Sequence, residues 1–391
     1  MSGPPQGSGA GGTIVAAGIR VLRKEAADGI AMSFGTLPRR TMVLLELETE
    51  RGDTGLGESW VNFPAWAAAE RVATLRDGVL PLVIGADAEQ ITLLHRRLVS
   101  ALEPVGRQWG APGPVMQAVS AVDVALWDLA GQAAGRAISR LAGGRVRDSI
   151  PVYASSLGPH GVSEQAARCR EAGFGAVKVK LGFGTERDLG ILRQARAVCG
   201  PDVAIYADAN QGWSLDEAIG FAPALRDHDV RWVEEPVRGN DLTDIERFYE
   251  RTGLPVATGE NVYRRHGFWP YIDSPAVQIL QPDISKTGGL SEVFAICQLA
   301  AARDKVVIPH LYGGAVAFAA TLQLAGCSPQ VSAVEYDVRD NPLRDPLLAG
   351  PPVPARGLLS IPDGPGLGVH LDRQAMSDVT EAHYRVEAST P

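Results

Sequence analysis

From residue 150 onward, short β-branched runs alternate with helical patterns of about ten to fifteen residues. That rhythm leaves few folds open. Parallel strands each need a crossover, and eight such units in roughly 200 residues describe a closed (β/α)8-type, TIM-like barrel, allowing one irregular unit. The candidate strands are 150–154, 176–180, 203–208, 230–234, 255–259, 277–281, 306–309 and 331–335. Seven of them end in an ionisable residue or are followed by one within two residues: Lys180, Asp208, Glu234, Glu260, Asp283, His310 and Glu335, at intervals of 23 to 28 residues, one βα unit each time. A lone carboxylate after a strand is explained by capping of the next helix. Caps vary in place, whereas these seven track the strand period, and the C-terminal ends of barrel strands face the mouth where chemistry occurs.

Within 176–180, alternate side chains share a face, so Lys178 and Lys180 project together. Taken alone this pair is a solvated strand edge; inside a barrel mouth, two adjacent ammonium groups are expected to lower each other's pKa and yield a base. Asp208, Glu234 and Glu260, on successive strands, form a hard oxygen cluster that must either raise its own pKa values or bind a cation, for which Mg²⁺ is the natural guest. His310, one strand beyond Asp283, has the placement in which a carboxylate fixes an imidazole tautomer and raises its basicity.

The rest of the chain frames this barrel. Residues 1–12, rich in Gly, Ser and Pro, are expected to be a disordered tail without signal architecture. Residues 13–148 read as an α+β unit, with a strand at 41–49, a loop without periodicity at 26–40, and an amphipathic helix from Pro114 to about Ala134. In that helix Asp123 and Asp128 are expected to be solvated or bonded within the helix, outside the site. The barrel occupies 149–340, and 341–391, rich in Pro and Gly, is expected to pack outside it. A net charge of −8 with no compensating basic stripe argues against nucleic acid. No apolar run reaches the ~18 residues a membrane span needs. Four dispersed cysteines, Cys169, Cys199, Cys297 and Cys327, suit free thiols in a cytoplasmic protein.

The motifs Lys178-x-Lys180, Asp208-x-Asn210, Glu234-x-Pro236, Gly259-Glu260-Asn261 and Asp283-x-x-Lys286-x-Gly288-Gly289 together resemble the enolase superfamily. Asp283 with His310, where the muconate-lactonising branch would have a lysine, resembles the mandelate racemase subgroup. The resemblance covers about 13–391 and implies that 13–148 is an α+β capping domain closed over the barrel, to which 341–391 returns. It implies one Mg²⁺ held by Asp208, Glu234 and Glu260; Lys180 as a base, with Lys178 lowering its pKa and contacting a substrate carboxylate; His310, oriented by Asp283, as the second acid/base; and Glu335 bonded to a carboxylate becoming an enediolate. Glu234, two before the proline, is the ligand in place of Glu235. A homo-oligomer acting on a small carboxylate, a sugar acid, is also implied. The favoured reaction is dehydration to a 2-keto-3-deoxy acid; cycloisomerisation and racemisation or epimerisation use the same groups, and a barrel that binds metal without catalysis is the rival of another class. Specificity is expected from the cap, at 26–40, Trp60 and Asn62, with Arg39 or Arg40 meeting a distal carboxylate.

Overall fold

The computed structural model describes residues 12–387, the side chains of 27–30 excepted; the expected tail lies outside these residues but for Gly12. The chain builds an antiparallel cap on a parallel barrel. In the cap, β1 (Ile14–Met32), β2 (Gly35–Thr49) and β3 (Thr54–Trp60) form a meander. Strand period decides how β2 is buried: Val43, Leu45 and Leu47 enter the cap core, while Met42 and Leu44 join the barrel's core. Both faces are therefore covered. The helices Ile91–Trp109 and Pro112–Ala133 pack on this sheet. Pro112, not Pro114, takes the first helical position, where a missing N–H costs nothing. A Cβ on Gly57 would stand 1.8 Å from the Ala121 carbonyl oxygen, so only glycine lets helix and β3 meet so closely.

The expected loop at 26–40 is instead the far half of a long hairpin. Ile30 pairs with Leu37 and Met32 with Gly35 across the turn. Strand pairing, which leaves no local periodicity at a half-exposed tip, carries the chain out to the barrel mouth. There Ser33 Oγ donates to the Asn210 carbonyl at 2.9 Å.

Eight parallel strands make the barrel: β4 (Ser149–Leu157), β5 (Ala176–Lys180), β6 (Ala204–Asp208), β7 (Val230–Glu234), β8 (Val256–Thr258), β9 (Val277–Leu280), β10 (Val306–Val307) and β11 (Val334–Asp337). Each pairs with the next in sequence from β4 to β10, and β11 returns to β4. The ring closes through a single bridge, Val307 to Val331. The irregular unit is the eighth. No barrel helix follows β11; the chain instead adds β12 (Leu358–Ser360) to the start of β4, a seven-residue helix (Arg373–Val379), and β13 (Thr380–Glu387), which pairs with β1 of the cap.

Inside the barrel, Tyr153, Ala176, Tyr206, Trp232 and Ile279 form an apolar plug, with Tyr206 and Trp232 stacked at 4.3 Å. Period two then places Lys178 and Lys180 above Ala176 on the inward face, while Val177 and Val179 turn outward to the helices. Asp123 and Asp128 correct the expectation of solvated or helix-bonded carboxylates, which holds only in the 2.9 Å bond that Asp128 accepts from Gln132 one turn on. Both are buried: Asp123 accepts from the Ser291 amide at 2.9 Å, and Asp128 accepts from the Leu56 and Leu367 amides at 2.9 and 2.8 Å. They pin the cap helix to the barrel, to β3 and to the C-terminal segment. All four cysteines are free. Among the described residues no helix is long and apolar enough to cross a membrane.

Candidate active site

Register assembles the site. Lys180 lies opposite Asp208 across β5 and β6, and Asp208 opposite Glu234 across β6 and β7. Three strand-end groups become neighbours because parallel strands of similar length end at one level. Lys180 Nζ lies 2.5 Å from Asp208 Oδ2 and 3.1 Å from Asn210 Oδ1. Lys178, fully buried, lies 2.6 Å from Glu234 Oε2 and 2.8 Å from Glu335 Oε1. His310 Nδ1 lies 2.7 Å from Asp283 Oδ2, and its Nε2 lies 3.1 Å from Glu260 Oε2. Asp283 is itself fixed by the Ser285 amide and hydroxyl, at 2.7 and 2.6 Å. The eight sequence-derived residues thus form two adjoining clusters, one of Lys178, Lys180, Asp208, Glu234 and Glu335 and one of Asp283, His310 and Glu260; Lys180 and Glu260 are half-buried and the other six buried.

Its electrostatics follow from these pairings. Burial disfavours the His310 imidazolium, but Glu260 and Asp283 outweigh it and raise the group to about 9. Burial likewise opposes ionisation of Glu260 and Glu335, yet the facing cations hold each at about 2: His310 and Lys286 for Glu260, Lys178 and His310 for Glu335. Lys180 corrects the sequence expectation. Burial and the Lys178 ammonium both push it down, as anticipated, but direct contact with Asp208 prevails and the net shift is upward. Lys178 is raised well above its ordinary value by Glu234 and Glu335 despite burial. At Lys180 the carboxylate contact outweighs the repulsion from Lys178.

Glu234 differs from its neighbours. Burial and the Asp208 charge raise it to about 7, and its Oε1 is buried with no hydrogen-bond partner, while Oε2 receives Lys178 and Gln281. An orphaned carboxylate oxygen beside two more carboxylates is a donor set suited to a hard divalent cation. Among the described residues no three carboxylate, imidazole or thiol groups already surround one point; each carboxylate is turned onto a lysine or the histidine instead.

A cavity of about 410 Å³ opens over this network between barrel and cap. Lys180, Glu260 and His310 line it; Lys178, Asp208, Glu234, Asp283 and Glu335 lie beneath and support those three. Glu235, raised to about 8 by burial and Glu260, also reaches the cavity, held by Gln211 and Asn261 at 2.9 and 3.1 Å. Lys286 joins it, donating to Asn261 Oδ1 at 2.8 Å and standing 4.4 Å from the Trp60 ring centroid. The motifs contain Asn210, Asn261 and Lys286, but only the fold shows that they line the cavity. Asn210, Gln211 and Glu235 also carry positive φ, 43°, 60° and 40°, backbone strain of the kind concentrated at functional sites. Larger cavities, of about 550 and 680 Å³, are lined by none of the seven strand-end groups.

The expected role of Arg39 or Arg40 toward a distal carboxylate is not supported. Arg40 is buried against Asp337 at 2.5 Å, and Arg39 pairs with Glu25 at 3.2 Å. Neither lines the cavity. Trp60 does line it, whereas Asn62 donates to the Tyr312 carbonyl at 2.9 Å and braces the wall from behind.

Residues 161–375 match the family model described as enolase C-terminal domain-like, and residues 16–143 match the mandelate racemase / muconate lactonizing enzyme N-terminal domain. The chain belongs to the mandelate racemase subgroup of the enolase superfamily. Among its relatives, the D-galactarolactone cycloisomerase of Agrobacterium fabrum is 35% identical over 87% of this chain and 91% of that protein. The arabinonate dehydratase of Saccharolobus solfataricus is 32% identical over 84% and 87%. A racemase from Streptomyces coelicolor with bound magnesium superposes with a TM-score of 0.84 at 27% identity, covering 94% of this chain and 99% of that one. This member of the superfamily is accordingly an enzyme, a lyase or an isomerase.

Proposed function

We propose that this enzyme removes the proton α to the carboxylate of an acid sugar and expels the oxygen on the β carbon, giving a 2-keto-3-deoxy acid. The observation that carries the reading is that Lys180 and His310 line one cavity from the two ends of the run β5 to β10, with the strands that carry Asp208, Glu234 and Glu260 between them. Two proton-transfer groups then reach one small acid from different sides.

Asp208, Glu234 and Glu260 would hold Mg²⁺, in keeping with the chemistry of the donor set and the unpaired Glu234 oxygen. Bound there, the cation would supply positive charge against the second negative charge that develops on the substrate carboxylate. Lys180 Nζ is the proposed proton acceptor: once Asp208 no longer neutralises it, burial and the Lys178 charge both favour the free amine. His310, with Asp283 still on its Nδ1, is the proposed donor to the departing oxygen. Glu335 fixes Lys178 from below and also accepts from the Leu311 amide, at 3.1 Å.

When the β oxygen is a free hydroxyl the outcome is dehydration, the reading favoured by the sequence and supported by the arabinonate dehydratase relative. When it is a ring oxygen the same elimination opens the ring, as the name of the galactarolactone cycloisomerase implies for that protein. With Mg²⁺ and a panel of aldonic, aldaric and ring-closed sugar acids in D₂O, the α-proton signal should disappear and a 2-keto acid form. No exchange with any of these acids would overturn the reading and leave a barrel that only binds metal.

A further inference from the structure

The cavity over the site is divided by polarity. Its barrel side carries the charges: Lys180, Glu235, Glu260, Lys286 and His310. Its cap side is Met32, Phe34, Trp60 and Phe63, continued by Tyr312. Phe34 stands edge-on to Phe63 at 5.2 Å, and Phe63 lies 6.3 Å from Trp60, so the three rings form a continuous aromatic wall. Phe34 is 62% exposed, a large apolar surface left open at the tip of the β1–β2 hairpin.

One cation touches this wall, Lys286, whose Nζ stands 4.4 Å from the Trp60 ring centroid; among the described residues none stacks on Phe34 or Phe63. The nearby guanidiniums are engaged elsewhere, Arg40 with Asp337 and Arg39 with Glu25. Lys286 is drawn down to Asn261. The hairpin tip from Ala26 to Phe34 contains no lysine or arginine at all. A second carboxylate placed against Phe34 and Phe63, away from Lys286, would lose water without gaining a counter-ion, and the hydroxyls of an extended polyol would face ring carbons that cannot bond them. A furanose, pyranose or lactone ring behaves differently. Its C–H face is apolar enough to lie on an aromatic ring, while its rim hydroxyls can turn toward the amides of Asn210, Gln211 and Asn261 on the polar side.

We propose that the substrate is a ring-closed sugar monocarboxylate, selected by stacking on Phe34, Trp60 and Phe63, so that the elimination opens a ring instead of releasing water. This rests on the α-proton reading above. The Cα–H bond breaks and its proton passes to Lys180. The bond from the β carbon to the ring oxygen then breaks, the oxygen takes a proton from His310, and the resulting enol tautomerises to an open-chain 2-keto-3-deoxy acid. Nothing is gained or lost, so product and substrate are isomers.

The test compares three acids with Mg²⁺ present: a ring-closed sugar monocarboxylate (a lactone or anhydro acid), an open-chain aldonate and an open-chain aldarate, followed by α-proton exchange and product mass. The ring acid is expected to have the highest kcat/KM and to give a product of unchanged mass. Phe34→Ala, at an exposed position, should raise KM for the ring acid by roughly five- to tenfold. Phe34→Arg should shift the preference toward the aldarate by supplying the missing distal cation. Dehydration of an open-chain acid in preference to the ring acid would overturn this proposal and leave the α-proton chemistry standing. Absence of exchange with all three would overturn both.

Discussion

Arg40 offers a quantitative test of how the cap is held on the barrel. Its guanidinium and the Asp337 carboxylate are each 3% exposed and meet at 2.5 Å, and Arg40 also donates to the Asp340 carbonyl at 3.0 Å. Arg40→Met fills much of the same volume but leaves Asp337 buried, with the Arg339 amide at 3.1 Å as its remaining donor. Stranding one member of a buried pair costs about 3–5 kcal/mol, whereas replacing both by apolar groups is often near neutral. Arg40→Met should therefore lower stability by that amount in chemical denaturation, and Arg40→Met combined with Asp337→Leu should recover most of it. Arg40 also sits 5.0 Å from the Tyr312 ring, which lines the cavity, so the single variant should raise KM as well. A single-variant loss below about 1 kcal/mol, or a double variant as unstable as the two singles added together, would refute this account of the cap's attachment.

Two further perturbations test other parts of the account. Glu58 caps the helix Ala315–Cys327 by accepting from the Gly314 and Ala317 amides at 2.6 and 2.8 Å, and burial lifts its carboxyl from 4.5 to about 7. The folded chain thus keeps a proton that the unfolded chain releases between those values, so stability should fall by up to ~3 kcal/mol as pH rises from 4.5 to 7 and level off above. Glu58→Gln should remove this part of the slope, and parallel pH profiles for the two proteins would count against it. At Glu234, Mg²⁺ should raise the thermal midpoint of the native protein, a stabilisation of about 2.7 kcal/mol at a hundredfold excess over Kd. Glu234→Gln should abolish most of that rise, and an equal rise in both would place the cation elsewhere.

The barrel was legible in the sequence because its signals are local. A strand's period of two puts Lys178 and Lys180 on one face, and equal βα units bring Lys180, Asp208 and Glu234 to one level. What the sequence left open depends on partners far along the chain. Asp123 and Asp128 look like solvated or helix-bonded residues until Ser291 and Leu367 arrive from 168 and 239 residues away. The 26–40 stretch has no periodicity because cross-strand pairing, not an amphipathic face, shapes a hairpin tip. The direction of the Lys180 shift turned on a 2.5 Å contact with Asp208 that no spacing rule reveals. Arg40 looked free to meet substrate only while its partner, Asp337, was out of view.

The central claim is that Lys180 and His310 move protons at one substrate carbon skeleton. Solvent-deuterium exchange at the α carbon, followed by NMR for the native protein, Lys180→Met and His310→Asn on the same acid with Mg²⁺ present, tests it most directly. The account predicts that each substitution suppresses turnover by about 10²-fold or more while circular dichroism stays native, with α-proton exchange lost in Lys180→Met. Full activity in both variants would contradict it.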